Sequence, residues 1–437
     1  MEPQQLTDVV ERIKERGARG VELLYVQDRG HALEMRGSRV EPQQALDEEH
    51  VVVRVWLEGG RRADRRGAVT ELEALISGAL AAAEGAEPDP AEGPVGRLQT
   101  VTGGLGIRDR RYEQLTSDDR IEVLTSAQRS VKQVDRRLDA VGFRYRDRLR
   151  VRRFCNSRGV SLEEWSTTYS AEGTVNAAAS PAPITLHDRV MSRSFASIAS
   201  LPYGTSLARR AVQLLADGEQ LPEGPVRVLM PARVVARLVA ALGASFRLSV
   251  LETPGAFFLR ASDTPVVDPR LHLVDDGTLS GGLRTCSLDD RGVAPVPLTL
   301  LREGRVDGRF IGVADARRLD VRPTGHQVGG ALTASNLVLK SGTRSINACL
   351  SDLGGPSLQI DDLPDLDGLD LATGAFRFVV NGLVMEANQV VGAMRGVTLT
   401  GSLLDVLNAV VEVCSDTDRL EHVDAPALIA EGFTLEG

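Results

Sequence analysis

Residues 143–154 read FRYRDRLRVRRF, and every second side chain from Arg144 through Arg146, Arg148 and Arg150 to Arg152 is an arginine. Strict alternation places all of these on one side of a strand, because successive side chains of extended backbone point to opposite faces. The chain must therefore build a sheet with one face able to carry a row of guanidinium groups. Two uses fit such a row. It can contact a polyanion, or it can be the face of an edge or solvent-facing strand whose charges are answered by carboxylates from its neighbours; the second is the simpler expectation.

A second constraint lies at 226–243, VRVLMPARVVARLVAALG. Val226, Val228 and Met230 alternate as in a strand. Pro231 then suits the first helical position, where no amide hydrogen is needed, and Val234, Val235, Leu238, Val239 and Leu242 recur on one helix face before Gly243 closes it. The polar side chains on this helix are Arg233 and Arg237. It offers no carboxylate, imidazole or thiol, so it can neither hold a metal nor move a proton.

Helices are expected over 6–16, 71–84 and 117–138, the last with Ser117 as its cap. Strands at 21–27 and 51–57 each lead into a hairpin, and EGAEPDPAEGPVG (84–96) breaks regular structure. Beyond Tyr203 the composition changes to short strands rich in glycine and proline. There GVTLTGSLLDVLNAVVEV gives a strand and then a helix with Ser402 and Asp405 in capping-box positions, and ALIAEGFTLEG reads as a final strand pair. At 437 residues the chain is too long for one ordinary domain. The expected class is α+β: an N-terminal α/β domain (1–203) with a mixed or antiparallel sheet and long helices, and a C-terminal β-rich, barrel-like domain (204–437).

The net charge of −9 carries no basic footprint of a nucleic-acid-binding domain. No apolar run is long enough to span a bilayer, and the first residues have neither a basic start nor an apolar signal core, so the expected location is cytoplasmic. Cys155, Cys286, Cys349 and Cys414 are far apart and form no CxxC, so they are read as small buried hydrophobes. The six histidines include no pair at helical spacing. VTGGLG (101–106) lacks the spacing of a dinucleotide-binding loop, and DLPDLDGLD (362–370) is expected to be an exposed acidic loop rather than a calcium site. PTGHQVGG places His326 in a flexible, glycine-flanked turn, where a surface histidine is the default.

From Leu271 onward the chain resembles the TldD/PmbA family, first described as modulators of DNA gyrase. The residues that carry the resemblance are VVDPRLHLVDDGTLSGGLRTCSLDDRGVAPVPLTLLREGRVDGRFIGVADARRL and PTGHQVGGALTASNLVLKSG, joined by LATGAFRFVVNGLVMEANQVVGAMRGVTLTGSLLDVLNAV. In the N-terminal half, ELLYVQDRGHALEMRGSRVEP and RRFCNSRGVSLEE are similar to the family's opening strands and Asn-Ser-x-Gly turn. In this family the TldD-like subunit carries HExxxH on a helix of the C-terminal domain and a cysteine ligand near the C-terminus, and the TldE- or PmbA-like subunit carries neither. The corresponding helix here, 231–243, has no histidine or glutamate, and Cys414 precedes the place of the missing ligand.

The resemblance thus implies a subunit with no catalytic and no metal-binding residues of its own. It would pair with a TldD-like catalytic subunit holding the zinc and admit unfolded peptide, with leader removal from a modified peptide as one use. Membranes and nucleic acid are not expected partners. Thr324, Gly325, His326 and Asn336 are the candidate peptide- or partner-facing residues. The other reading is a stand-alone homodimer that binds peptide in a sheet-lined groove without protease activity.

Overall fold

The arginine segment lies within the strand Leu138–Asn156 of a computed structural model that describes residues 1–96, 104–178, 183–252, 265–363 and 366–436. This strand is not at an edge. It sits inside an antiparallel sheet ordered Arg62–Gly67, Gln44–Trp56, Gly20–Arg36, Leu138–Asn156, Ser161–Ala177, Ile184–Ser192. An interior position is possible because carboxylates on neighbouring strands answer the charges at both ends of the row. Arg150 grips Asp28 through Nε and Nη2 at 2.7 and 2.6 Å, Arg144 reaches Glu34 at 3.4 Å, and Arg152 reaches Glu164 at 3.3 Å.

The opposite face of this sheet is apolar and covered by helices. Leu23, Tyr25, Val51, Val53 and Val55 pack with Leu6, Val9 and Ile13 of the helix Pro3–Glu15 and with Ile76 of the helix Leu72–Glu84. Farther along, Phe143, Tyr145 and Leu149 pack with Leu124 and Val131 of the helix Ser117–Val134 and Leu207 of the helix Tyr203–Gln213. Asp147 is the one acid in the middle of this apolar surface. It is fully enclosed and satisfied by Arg120 at 2.6 Å, Tyr112 at 2.9 Å and Tyr145 at 3.1 Å.

The helix Ser117–Val134 begins at 117 as expected but stops short of the expected 138. Thr116, not Ser117, is its cap, exchanging bonds with Asp119 in a capping box. At the other end Asp135 turns extended and its carboxylate accepts from the Arg137 amide at 2.8 Å, which starts the next strand early.

In the second half, Gly224–Met230, Pro356–Ile360, Ala375–Glu386, Gln389–Ser402 and Val423–Glu436 pair in a cycle and close a barrel, the last strand returning to the first. Val423–Glu436 is one strand, where a strand pair was expected. Gly432 adopts a positive φ of 86° and the register shifts between Ala430 and Phe433, so the backbone bends without reversing.

The helix expected after Met230 is present as Ala232–Leu242, with Val234, Val235, Leu238, Val239 and Leu242 buried. Burial of each such side chain contributes about 1.5–3 kcal/mol. Two details differ from the sequence expectation. Pro231 is the residue before the first turn, not the first helical residue, and Gly243 stays right-handed and continues into the turn Gly243–Phe246. Space there is tight, since a Cβ would lie 3.1 Å from both Ala334 and Leu337 side chains. Ser402 precedes the late helix Leu403–Asn408 but makes no side-chain cap bond.

The two halves are joined by apolar and ionic contacts. Leu229, Leu383, Met385, Ala427 and Ile429 of the barrel belong to the same core cluster as Tyr145, Tyr203 and Leu207. Arg291 and Arg54 converge on Glu22 at 3.1 and 2.7 Å, and Arg152 bonds Asp290 at 2.7 Å. No helix among the described residues is long and apolar enough to cross a membrane.

Candidate functional site

The two arginines of the helix Ala232–Leu242 are one turn apart and lie on the same side. Both reach the end of the strand Pro356–Ile360, where Asp361 and Asp362 follow. Arg233 donates to the Asp361 carbonyl at 2.7 Å and to its carboxylate at 3.1 Å, and Arg237 grips Asp362 at 2.8 and 3.2 Å. From the helix Tyr203–Gln213, which packs on the N-terminal sheet, Arg210 makes a two-pronged pair with Asp361 at 2.9 and 2.7 Å and donates to Asp188 of that sheet at 2.8 Å. The result is a balanced cluster of Arg210, Arg233 and Arg237 against Asp188, Asp361 and Asp362.

Its electrostatics follow from burial. Arg210 is only 7 % exposed; burial opposes its charge, but the hydrogen bonds to Asp361 and the surrounding carboxylates outweigh it and hold its pKa above the ordinary value. Burial pushes the Asp188 carboxyl up, with Arg210 pulling the other way. Arg233 is lowered by burial and by Arg210 beside it.

This arrangement does not suit a zinc ion. The helix itself supplies guanidinium groups, which carry no lone pair to donate and repel a cation, and the Asp361 and Asp362 oxygens are already bound by arginine. Among the described residues no group of three or more His, Cys, Asp or Glu is placed to hold a metal. Cys414 is fully buried, and burial, with Cys349 beside it, pushes its thiol up to about 12, so it stays protonated.

The residues singled out in the Thr-Gly turn lie together but inside the protein. His326 is 1 % exposed, where a flexible surface turn was expected. Its Nε2 lies 3.0 Å from Asp275, its ring stacks on Phe310 at 4.4 Å, and the other Asp275 oxygen accepts from the Ser335 amide at 2.6 Å. The Thr324 hydroxyl accepts from the Ile311 amide at 3.0 Å. Gly325 has φ +74° and no room for a side chain, since a Cβ would sit 2.7 Å from the Ala294 carbonyl. Asn336 donates to the Asp276 carbonyl and the Thr285 hydroxyl, and accepts from the Arg284 amide. All four residues are buried, with His326 Nδ1 left without a hydrogen-bond partner among the described residues, and the adjacent Asp275 and Asp276 tie the turn to Asn336.

The acidic segment 362–370 lies partly outside the described residues. Its first member corrects the expectation of an exposed loop, because Asp362 is buried in the arginine cluster. VTGGLG is likewise only partly described. Asp188, Arg210 and Asp361 were not legible as a site in the sequence. The available signal was the pairing of two arginines on an otherwise apolar helix with an Asp-Asp doublet just after a strand.

A cleft of about 560 Å³ opens elsewhere, between Arg270, Arg302 and the loop through Lys340 and Arg344. It shares no residue with the helix cluster. Its arginines are paired, Arg270 with Asp268, Arg302 with Asp307 and Arg344 with Glu412.

Comparison with known proteins places this geometry. The PmbA/TldA metallopeptidase C-terminal domain matches residues 223–437. The Metalloprotease PmbA homolog of Haemophilus influenzae is 20 % identical over 364 residues, covering 83 % of this chain and 79 % of that protein, and Metalloprotease PmbA of Escherichia coli O157:H7 matches to the same extent. The chain belongs to the TldD/PmbA family. The TldD/PmbA-type fold extends over the whole molecule. A candidate modulator of a DNA gyrase from Thermotoga maritima superposes with a TM-score of 0.89 at 19 % identity, over 99 % of this chain and 100 % of that one. TldE from Thermococcus kodakarensis superposes at 0.85 and 15 % identity, over 99 % and 100 %. In this TldD/PmbA member the helix Ala232–Leu242 presents two arginines in an ion-pair cluster.

Proposed function

We propose that this chain is a non-catalytic, TldE-like subunit of a heteromeric zinc metallopeptidase that degrades or trims unfolded peptides in the cytoplasm. The zinc belongs to a TldD-like partner carrying HExxxH, and this chain holds none. One observation carries the reading: the helix that resembles the metal helix of catalytic members bears Arg233 and Arg237, each bound to an aspartate. A site built from arginine-neutralised carboxylates has no open lone pairs for a metal and no base to activate water. The likeness to metalloprotease PmbA proteins supports the peptidase context.

The test is co-expression with a TldD-like chain. The expected result is a stable complex in which zinc and peptide cleavage are both lost on mutating the partner's HExxxH, while this chain purified alone contains no stoichiometric zinc and cleaves nothing. A TldD-like chain that is fully active alone and forms no complex overturns the proposal. A stable homodimer that binds peptide would then favour the stand-alone binding protein.

A further inference from the structure

The arginine row is balanced at its ends and unbalanced in its middle. By strand register Arg144 lies between Glu34 and Glu172, and Arg150 between Asp28 and Ser166. The two central positions have small neighbours: Arg146 lies between Ala32 and Ser170, and Arg148 between Gly30 and Thr168. Arg146 is exposed and makes no hydrogen bond or ion pair among the described residues. The nearest carboxylate to Arg148 is Asp28 at 3.8 Å, and that group is already held on both oxygens by Arg150. Burial and the neighbouring Arg150 disfavour the charge on Arg148, which a bound anion would relieve.

The floor beside these guanidiniums is low for a structural reason. A Cβ on Gly30 would lie 2.1 Å from the Asp147 carbonyl, so no side chain can stand there, and Ala32 adds only a methyl. On the other side stand Ser170, which is buried, and Thr168, whose hydroxyl accepts from Arg193 at 3.3 Å. The trough is thus polar, shallow and positively charged, in a chain whose overall charge is −9.

We propose that Arg146 and Arg148 form a docking trough for an acidic, extended peptide segment with carboxylates at alternate positions. Side chains two residues apart on extended backbone are about 6.8 Å apart. That repeat is shared by the two arginines and by the peptide, so each carboxylate can meet its own guanidinium in a charge-assisted bond. Peptide is favoured over nucleic acid because no aromatic side chain lies in the Arg146 and Arg148 rows to stack a base, and the carboxylates of Glu34, Glu48 and Glu172 flank the trough and would repel a continuous phosphate backbone. The inference rests on the peptidase-subunit reading only in naming peptide as the ligand that arrives there.

The experiment uses this full chain without a partner and reads fluorescence anisotropy of a labelled peptide with glutamates at alternate positions. Expected are binding that weakens from about 50 mM to about 300 mM salt, and at least roughly tenfold weaker binding of the glutamine-matched peptide. An Arg146→Ala/Arg148→Ala variant should lose about as much while melting at the wild-type temperature, and Arg144→Ala, whose partner is Glu34, should change binding less than about threefold. Equal binding of the two peptides, or unchanged binding by the double variant, overturns the proposal. So does a single-stranded oligonucleotide that binds more tightly than the acidic peptide. Because no catalytic subunit is present, these results are independent of whether the heteromeric peptidase forms.

Discussion

Asp361 is the residue on which the helix cluster depends, because it accepts from Arg210 and Arg233 at once and is itself buried. Removing one partner from a buried ion pair leaves the other uncompensated, at about 3–5 kcal/mol. Asp361→Ala is expected to lower the unfolding free energy by that amount, read from urea denaturation as a lower midpoint. Arg237→Ala should cost clearly less, since this arginine is partly exposed and can be replaced by water. A second residue sets a pH dependence. Burial pushes the Asp289 carboxyl up to about 6 despite amide bonds from Val293, Gln327 and Arg291, against an ordinary value of 3.8. Between those values the folded state binds more protons than the unfolded one, so this group's contribution to stability falls as pH rises from about 4 to about 6 and stays low above it. Urea unfolding of the wild type and of Asp289→Asn across this range should show a shallower slope in the variant, the difference amounting to at most about 3 kcal/mol in total.

At the scale of elements, the arginine strand shows how far periodicity reaches. The alternation of FRYRDRLRVRRF was sufficient to assign a strand and to put the arginines on one face, and the strand Leu138–Asn156 has that geometry. Its interior position was not legible, because it depends on Asp28, Glu34 and Glu164 arriving from two other strands to answer the charge. The same close pairing makes Gly30 sensitive. A Cβ there meets the Asp147 carbonyl of the neighbouring strand, backbone that cannot swing away. Gly30→Val is therefore expected to destabilise by about 1–3 kcal/mol or more, seen as a lower melting temperature by circular dichroism. The helix Ala232–Leu242 was legible from its apolar face. Its ends were not, because a glycine can close a helix or, as Gly243 does, stay right-handed and run on into the turn Gly243–Phe246.

At the scale of the molecule, the cluster around Arg210 is a join between halves. Arg210 comes from the helix that packs on the N-terminal sheet, and Asp361 from the end of a barrel strand. A shared apolar core and the Arg152–Asp290 and Arg291–Glu22 pairs add to it. Coupling of this extent should make the wild type unfold in a single calorimetric transition. Arg210→Ala removes the arginine from Asp188 and leaves Asp361 with Arg233 alone, and is expected to broaden or split that transition, with one component moving to lower temperature.

The sequence by itself determined the α+β class, the strand that carries the arginines, the apolar helix after Met230 and the absence of metal donors on that helix, because each is a matter of local period and side-chain chemistry. Only the tertiary structure decided that Arg233 and Arg237 are bound by Asp361 and Asp362, that Arg210 joins them from the helix Tyr203–Gln213, and that His326 is enclosed against Asp275 and Phe310. It likewise left Arg146 without a carboxylate while Arg150 took Asp28. These outcomes rest on which distant residues a closed barrel and an antiparallel register bring within hydrogen-bonding reach. Periodicity fixes the face on which a side chain stands, but the partner across from it is set by how the whole chain closes.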